Sequence, residues 1–379
     1  MKLKIKKDIR DVDTALLVDV ILLIIFGLFS VASASFPATI KYNVNRFYYL
    51  IRQMIWMILG IFSIFFILKI NKNFIKNHID IVFGLSLLLI FLLWTPMGKL
   101  VNGQVRWLKI VIGSREIFAF QPSDLLKVAS IVYMAKFLSN NIKRISEDSI
   151  FLTVLLIMGL SVIPIMVKDF STAVVIGLAL FAMFTSAGMT KKEFFIILVI
   201  GLGVIAIILM GPGSKFRRER IASMFADSDD KMSNSLYQIT QSLYAIALGG
   251  YTGSGFFQSK QKYANLPEAH TDFIFSVICE EFGFVGALFL IILYLIFIYR
   301  GFVIASRAND NFYKFTAIGL TTYIGIQAFF NLGVAVKILP VTGITLPFIS
   351  YGGTALVMSM VAVGLLLKIS KEGNQWNIF

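Results

Sequence analysis

The sequence predicts an all-α polytopic membrane protein with about ten transmembrane helices, and its composition is the main reason. The chain has 379 residues, of which 58% are hydrophobic and only 15% are charged, and its mean hydropathy is +0.82. Soluble domains are about half apolar and about a quarter charged, so water is a poor solvent for most of this chain. Residues 1–379 are therefore predicted to form a single multi-pass membrane domain.

Ten apolar stretches approach the roughly 20 residues that a helix needs to span a bilayer. They are predicted at 14–35, 50–70, 78–97, 122–140, 150–167, 170–188, 193–210, 273–299, 311–336 and 348–368. The fourth is the least apolar, because it contains Asp124, Lys127 and Lys136. The long polar segment 211–271, between the seventh and eighth stretches, is predicted to be a large extracytoplasmic loop.

The distribution of Lys and Arg predicts how these helices are oriented. The N-terminal segment contains the basic residues Lys2, Lys4, Lys6, Lys7 and Arg10. The short turns predicted on the same side of the membrane are basic as well. Cytoplasmic turns are enriched in Lys and Arg, so both termini are predicted to be cytoplasmic. The 211–271 loop would then lie on the outer side of the membrane.

Several kinds of site are disfavoured by the sequence. The single cysteine, Cys279, excludes an intrachain disulfide, and two distant histidines do not indicate a His-rich metal site. The glycines of 249–255 have no βαβ context, so they do not predict a dinucleotide site. No P-loop, zinc motif or nucleophile elbow is present.

The end of the long loop, LPEAHTDFIF at 266–275, brings ionisable residues to the start of an apolar helix. One interpretation is that Thr271 or Asp272 only caps that helix and complements its dipole. The other is that Asp272 is a general base, because partial burial raises a carboxylate pKa towards a useful range. Glu268 and His270 are candidates to support it.

A second candidate site begins at FQPSDLLK, residues 120–127. Pro122 and Asp124 suit the first turn of a helix, but Lys127 falls about one turn into a span, where an unpaired charge is costly. We predict a buried ion pair between Lys127 and Asp169 of the stretch VKDFSTA. The alternative is that Lys127 extends to the membrane interface.

Basic residues on the predicted outer side are candidates for binding a phosphorylated ligand. Arg and Lys are the usual partners of phosphate, and the candidates are Arg217, Arg220, Lys109 and Lys337. Lys337 begins KILPVTGITLPFISYGGTA, whose prolines and glycines predict a broken, re-entrant segment. The alternative is that these basic side chains are simply solvated or contact lipid head groups.

Taken together, these motifs resemble the SEDS family of bacterial peptidoglycan polymerases. Four stretches carry the resemblance in order along the chain: NGQVRWLKI with FQPSD; VKDFSTA; RRERIASMF through YQITQSLYAIALGG to LPEAHTDFIF; and LPVTGITLPFISYGG. The amino-acid sequences of the last two stretches are more similar to the FtsW and SpoVE branch of the family than to RodA. Three positions depart from the family pattern, with Asp124 for Glu, Thr354 for Ser and Phe257 for the third glycine of its loop.

The resemblance implies a SEDS fold, a function and a set of partners. It implies a glycosyltransferase that polymerises lipid II into glycan strands, in cell division or cell-shape maintenance, with undecaprenyl pyrophosphate as leaving group and Asp272 as catalytic base. The protein would lie in the bacterial cytoplasmic membrane. Charge builds on the leaving pyrophosphate, so either cationic side chains or a divalent cation, Mg²⁺ or Mn²⁺, would be needed there. No cofactor is assigned and no metal ligand is identified. The implied partners are the lipid-linked glycan strand, membrane lipid and a class B penicillin-binding protein, and no nucleic acid.

Two other functions are compatible with the same residues. Buried polar groups such as Lys127 and Asp169 are also expected along the path of a lipid II flippase. A scaffold that only recruits the penicillin-binding protein would need no catalytic carboxylate. Asp272→Ala distinguishes these functions, since only an enzyme would lose polymerisation while keeping its partner.

Overall fold

The computed structural model describes residues 12–101, 104–112, 115–166, 168–211, 215–225, 234–264 and 266–373. In chain order its elements are α1 (Thr14–Ala34), α2 (Phe36–Lys41), α3 (Tyr48–Lys69), α4 (Lys72–Phe91), β1 (Gly98–Val101), β2 (Gln104–Ile112), β3 (Arg115–Phe120), α5 (Pro122–Asn141), α6 (Asp148–Met166), α7 (Phe170–Ala187), α8 (Lys191–Met210), α9 (Lys215–Phe225), α10 (Asn234–Gly249), α11 (Gln261–Ala264), α12 (Ile274–Ser306), α13 (Asn311–Ala335) and α14 (Gly353–Glu372). Two 3₁₀ turns, Leu92–Trp94 and Ile142–Arg144, extend α4 and α5.

Ten of the helices are long, and each overlaps one of the ten predicted stretches. They are α1, α3 to α8 and α12 to α14. Over the part of the chain that is described, eight of them are long and apolar enough to cross a membrane. The remaining two are α8 and the charged α5. The prediction of a helical, multi-pass membrane protein is therefore confirmed.

Side chains in the sequence fix where several helices begin. The Asp13 carboxylate accepts a hydrogen bond from Leu16 N at 2.9 Å and starts α1. Thr190 and Glu193 form a reciprocal capping box at the start of α8. Such caps satisfy backbone amides that have no partner within the helix.

A three-stranded antiparallel sheet, in the order β1-β2-β3, lies between α4 and α5. The all-α prediction omitted it, because residues 98–120 were interpreted as a connection between two spans. The sequence of β2, QVRWLKIVI, is rich in β-branched and aromatic residues, and Asn-Gly separates it from β1. Both features are typical of a β-hairpin.

The helices of the second half of the chain form the centre of the bundle. Helix α13 packs against α5, α7 and α12, and α14 packs along α3. Most residues of α14 are buried. This arrangement brings the N-terminal end of α5, the end of α13 and the start of α14 to the same region of the molecule.

The segment 211–271 contains helices as well as loops, and α10 within it packs against α12. Helix α12 is kinked at Gly283, whose φ is +64°. Beside this kink, Ser254 N and Gly255 N donate to the carbonyls of Glu280 and Glu281 at 2.9 and 3.0 Å. A Cβ atom on Gly283 would lie 2.4 Å from Gly253 N, so the glycines here allow two backbones to meet.

The segment between α13 and α14, residues 336–352, is non-helical, as the re-entrant prediction required. Helix α14 begins at Gly353 rather than at 348, because Phe348 adopts a φ of +67°, which no right-handed helix accommodates. Side chains from neighbouring helices satisfy its backbone. Gln53 Nε2 donates to Ser350 O at 3.1 Å, and Gln327 Nε2 donates to Thr345 O at 2.9 Å. Irregular backbone inside a membrane protein needs such partners.

Candidate active site

A cavity of about 1050 Å³ lies where these elements converge. Its walls come from the start of α3, the three-stranded sheet, the starts of α5 and α7, helices α9 and α10, the loop 267–272, and the middle and C-terminal end of the irregular segment 336–352. Ionisable residues concentrate on these walls: Arg52, Lys99, Arg106, Asp124, Lys127, Arg220, Glu268, His270 and Asp272. Charged groups in a membrane protein are expected to face such a space rather than lipid.

Asp272 lies on the wall of this cavity at the end of a loop that is held by its backbone. Asn331 Nδ2 donates to Asp272 O at 2.8 Å and also to Ile344 O at 2.8 Å. Tyr351 N donates to His270 O at 2.9 Å, and Ser350 Oγ donates to Thr271 O at 2.5 Å. The loop that carries the carboxylate is thus fixed to the irregular segment and to α13.

The interpretation of Asp272 as a helix cap is wrong for this structure. Helix α12 begins at Ile274, its N-cap is Phe273, and no side chain caps it. Among the described residues, no group donates a hydrogen bond to the Asp272 carboxylate or forms an ion pair with it within 4 Å. The carboxylate is therefore available to a ligand in the cavity.

The environment of Asp272 brings its pKa into a range useful for proton transfer. Burial, together with the negative charge of Glu268, raises the pKa of Asp272 to about 7, although Arg106 and Arg220 oppose the rise. A carboxylate with such a pKa is ionised in about half of the molecules at neutral pH. It can both accept and release a proton there.

Two arginines flank this carboxylate from different elements. Arg106 on β2 donates from Nε to Lys168 O at 3.2 Å, and its Nη2 lies 3.7 Å from Asp169 Oδ1. Arg220 on α9 donates from Nη1 to Val341 O at 3.0 Å. These contacts fix the two guanidinium groups, and both lower the pKa of Asp272 through their charge.

Gly343 fills the narrow space between the acid and one of the arginines. A Cβ atom on Gly343 would lie 3.3 Å from Arg106 Nη1 and 3.4 Å from Asp272 Oδ2. The φ of this residue is +72°, which favours glycine. The backbone of the irregular segment thus lies close to both charged groups, and a larger residue at this position would press on them.

The predicted ion pair between Lys127 and Asp169 is not formed. Lys127 Nζ lies 2.8 Å from Asp124 Oδ1, because residues three apart on a helix share a face. Asp169 instead caps α7, accepting from Thr172 Oγ1 at 2.8 Å, and pairs with Arg106. Lys127 is buried, so the alternative of an interfacial lysine is wrong as well.

The pair of Asp124 and Lys127 also lines the cavity. Thr354 Oγ1 donates to Asp124 Oδ2 at 2.7 Å, and Lys127 Nζ lies 3.3 Å from Gln327 Oε1. The cavity therefore has two charged groups of residues on its walls, Asp272 with the arginines and this pair.

The other predicted residues are divided between the cavity and its surroundings. Glu268 and His270 line the cavity with Arg220 and Asp272. Burial lowers the pKa of His270 below its usual value, although the negative charge of Glu268 opposes this. Lys109 and Lys337 do not line the cavity, and the side chain of Arg217 lies outside the part of the chain that is described.

Sequence reasoning did not select Arg106, Arg52 or the cavity-lining aromatic residues as site residues. In the sequence, Arg106 lies within residues 98–120, which were interpreted as a connection between two spans. Its position on β2 was a usable signal, but only after the hairpin sequence around Asn102 and Gly103 had been identified as a sheet.

The described residues contain no group of three or more His, Cys, Asp and Glu side chains that could hold a metal ion. Mg²⁺, however, is commonly bound by one or two carboxylates together with substrate phosphates. Glu268, which lines the cavity beside Asp272, would be the protein ligand of such an ion. A divalent cation therefore stays a prediction.

Comparison with known proteins places this architecture among bacterial cell-cycle proteins. Residues 13–375 match the model of the FtsW, RodA and SpoVE family, described as cell cycle protein. The chain is 37% identical to the probable peptidoglycan glycosyltransferase FtsW of Legionella pneumophila, over 93% of this chain and 89% of that protein. It is 35% identical to stage V sporulation protein E of Bacillus subtilis, over 95% and 97% of the two chains.

Solved structures agree with these sequence relatives. One, described as the structural coordination of polymerization and crosslinking by a peptidoglycan synthase complex, superposes with a TM-score of 0.76 at 26% identity, covering 96% of this chain and 99% of that one. The crystal structure of the rod shape determining protein RodA of Thermus thermophilus gives a TM-score of 0.70 at 25% identity, covering 96% and 98%.

Proposed function

Since this chain belongs to the FtsW, RodA and SpoVE family, as its motifs predicted, we propose that it is a peptidoglycan glycosyltransferase of cell division. The relatives named FtsW and SpoVE confirm the predicted branch of the family. The chain is a multi-pass protein of the bacterial cytoplasmic membrane. Its site faces the cavity beside Asp272.

The proposed reaction joins two lipid-linked substrates on the outer side of that membrane. The 4-hydroxyl of the GlcNAc of lipid II attacks the anomeric carbon of the terminal MurNAc of the growing strand. The bond from that carbon to the pyrophosphate oxygen breaks, and undecaprenyl pyrophosphate leaves with the bonding electrons. The attacking hydroxyl gives its proton to Asp272. Because both substrates are anchored in one membrane plane, the bilayer contributes to their positioning.

A single observation carries this assignment. The Asp272 carboxylate faces a large polar cavity, has no hydrogen-bond donor among the described residues, and has a pKa raised to about 7. A base of this pKa accepts a proton efficiently at neutral pH, and general base catalysis contributes about 10²–10⁴-fold to a rate. The backbone contacts from Asn331 and Ser350 keep this base in place.

Arg106 and Arg220 supply positive charge for the leaving group. Negative charge grows on the pyrophosphate as the glycosidic bond forms, and fixed cations near it stabilise the transition state. Arginine suits this role because it remains charged and binds phosphate oxygens through two nitrogens. A divalent cation held by carboxylates and phosphates would add to this charge.

A transpeptidase of the class B penicillin-binding proteins is the proposed partner. The similarity to a peptidoglycan synthase complex that coordinates polymerization and crosslinking supports this proposal. A crosslinking partner would use the strand that this chain makes.

The test is polymer formation by the purified full-length protein with lipid II and its transpeptidase. We expect Asp272→Asn to lose at least about 100-fold in polymerisation rate while reaching the membrane and binding the partner normally. Asp148→Asn, at the exposed start of α6, is the matched control and should retain the activity.

The same variants separate the other two functions. A scaffold would tolerate Asp272→Asn in every assay of wall synthesis. A flippase would lose lipid II translocation in vesicles and still polymerise lipid II that is already on the outer leaflet. Either result would overturn the enzymatic assignment.

A further inference from the structure

One wall of the cavity is aromatic, and the chemistry above does not use it. Tyr48 and Trp56 from α3, together with His270 and Tyr351 from the two joined loops, line the cavity on this side. We call these four residues the aromatic wall. Arg52, between the two α3 residues, lines the cavity as well.

Tyr49 packs against three of the four residues of the wall. Its ring centroid lies 5.3 Å from that of Tyr48, 4.9 Å from that of His270 and 5.1 Å from that of Tyr351. Tyr49 does not line the cavity itself. The core-packing role is therefore filled by Tyr49, and the rings of the wall have faces or edges left for a ligand.

The wall is rigid because the backbone supports it. A Cβ atom on Gly353 would lie 2.2 Å from the Trp56 ring, so this ring packs directly on the glycine backbone. Tyr351 N donates to His270 O at 2.9 Å, which joins the wall to the loop of Asp272. A preformed surface binds a ligand without losing side-chain freedom on binding.

We propose that the aromatic wall is a subsite for a pyranose ring of the substrate. The inference rests on the proposed function, which supplies sugars as ligands. A pyranose has apolar faces of C–H groups and a rim of hydroxyls, so it suits a wall of ring faces with polar groups at the edge. The polar edge consists of the Tyr hydroxyls, the His270 imidazole and Arg52, whose Nη1 lies 2.6 Å from the Tyr48 hydroxyl.

The wall also lies at the correct reach from the catalytic carboxylate. His270 and Asp272 are two residues apart, so their Cα atoms are at most about 7 Å from each other. This is close to the width of one sugar ring. A ring that stacks on the wall can therefore present a hydroxyl to Asp272, which gives the wall a role in orienting the acceptor.

The experiment measures binding of two lipids to the full-length protein in nanodiscs. Lipid II has sugars and a pyrophosphate, and undecaprenyl pyrophosphate has only the pyrophosphate. We expect Tyr351→Leu and Tyr48→Leu each to weaken binding of lipid II about two- to tenfold, the range for one aromatic contact, and to leave the binding of undecaprenyl pyrophosphate unchanged.

Conservative variants show whether the ring itself is responsible. Tyr351→Phe and Tyr48→Phe keep the ring and should recover most of the affinity for lipid II. Phe62→Leu, on the exposed face of α3, removes a ring outside the cavity and is the matched control. The proposal is overturned if the Leu variants bind lipid II like the wild type, if both lipids weaken equally, or if the Phe variants lose as much as the Leu variants.

The binding assay separates this proposal from the proposed function. If Asp272→Asn still polymerises lipid II, the assignment of the base fails even where the sugar-dependent binding is found. If Asp272→Asn is inactive and the Leu variants show no sugar-dependent loss, the base stands and the subsite fails.

Discussion

Two clusters of buried charged residues lie near the first turns of α12, and they differ in whether their carboxylates have hydrogen-bond or ion-pair partners within the protein. The open cluster consists of Asp272, Arg106 and Arg220 and faces the cavity. The closed cluster consists of Lys262, Ser33, Glu280 and Glu281 and lies where the long loop meets α1 and α12. One cluster leaves its carboxylate without a donor, and the other uses every charged group.

In the closed cluster one carboxylate forms an ion pair and the other accepts hydrogen bonds from neutral donors. Lys262 Nζ lies 2.6 Å from both Ser33 Oγ and Glu281 Oε1, with the side chains of Lys262 and Glu281 only 0% and 1% exposed. Glu280 accepts from Ser259 Oγ at 2.5 Å and from Lys260 N at 2.7 Å. Such a network needs nothing from outside the chain, so its role is to hold the loop against the helices.

The contrast shows how burial can serve either stability or chemistry. A buried charge without its partner costs free energy, and the closed cluster avoids this cost. At Asp272 the cost appears instead as a pKa raised to about 7, which makes the carboxylate a useful base. Substitutions in the closed cluster should therefore affect stability, and those in the open cluster should affect turnover.

The largest expected effect is on stability, from Lys262→Met. Removing the amine leaves Glu281 buried without its counter-charge, which costs about 3–5 kcal/mol of folding free energy. Thermal unfolding of the purified protein should show a clear drop in Tm. The double variant Lys262→Met with Glu281→Gln, which removes both charges, should recover part of the loss. An unchanged Tm in the single variant would remove the distinction between the clusters.

The next effect is on turnover, from Arg106→Ala. Loss of one fixed cation beside the leaving group should lower kcat for polymerisation about 10²–10³-fold. Lys109→Ala on the same strand, outside the cavity, is the control and should have little effect. We would abandon the leaving-group role if both variants lost activity equally.

A smaller effect is expected from Gly343→Ala. The added Cβ must fit between Arg106 and Asp272 at a φ of +72°, so both geometry and backbone strain change. We expect kcat to fall about tenfold, because small misplacements of reacting groups are costly. Gly188→Ala is the control, because Gly188 has a φ of +107° but lies far from the cavity, so this variant adds backbone strain without changing the site. Stability should fall in both variants, and turnover per folded molecule only in the first.

The smallest effect is a pH shift from Glu268→Gln. The negative charge of Glu268 raises the pKa of Asp272, so its removal lowers that pKa. The base is ionised above its pKa, and activity is lost as the pH falls through it. The acid limb of the pH–rate profile should therefore move to lower pH. A limb that stays in place would show that Glu268 does not act on the base.

Much of this architecture could be predicted from the sequence, because lipid imposes simple rules. The ten long helices follow from apolar stretches of spanning length, and the broken segment 336–352 follows from its prolines and glycines. The start of α14 was placed five residues too early, since a turn at Phe348 depends on contacts that composition does not reveal.

The site was predicted in part. Asp272 was identified from its position at the end of the loop. The predicted partner of Lys127 was Asp169, although Asp124 lies three residues before Lys127 on the same helix and was predicted only to suit the first helical turn. Arg106 could not be assigned to the site before β2 was identified as part of a sheet. The contacts of Asn331 and Gln327 join segments that are distant in sequence and become neighbours only in the folded chain.

The most direct test is the pH dependence of polymerisation in single-turnover experiments with wild-type protein and Arg106→Ala. If Asp272 takes the proton, the wild-type rate falls about tenfold per pH unit below pH about 7. The limb moves to higher pH in Arg106→Ala, since that arginine lowers the pKa of Asp272. A rate that is flat between about pH 5.5 and 8.5, or a limb that ignores the loss of Arg106, would contradict a base at this position.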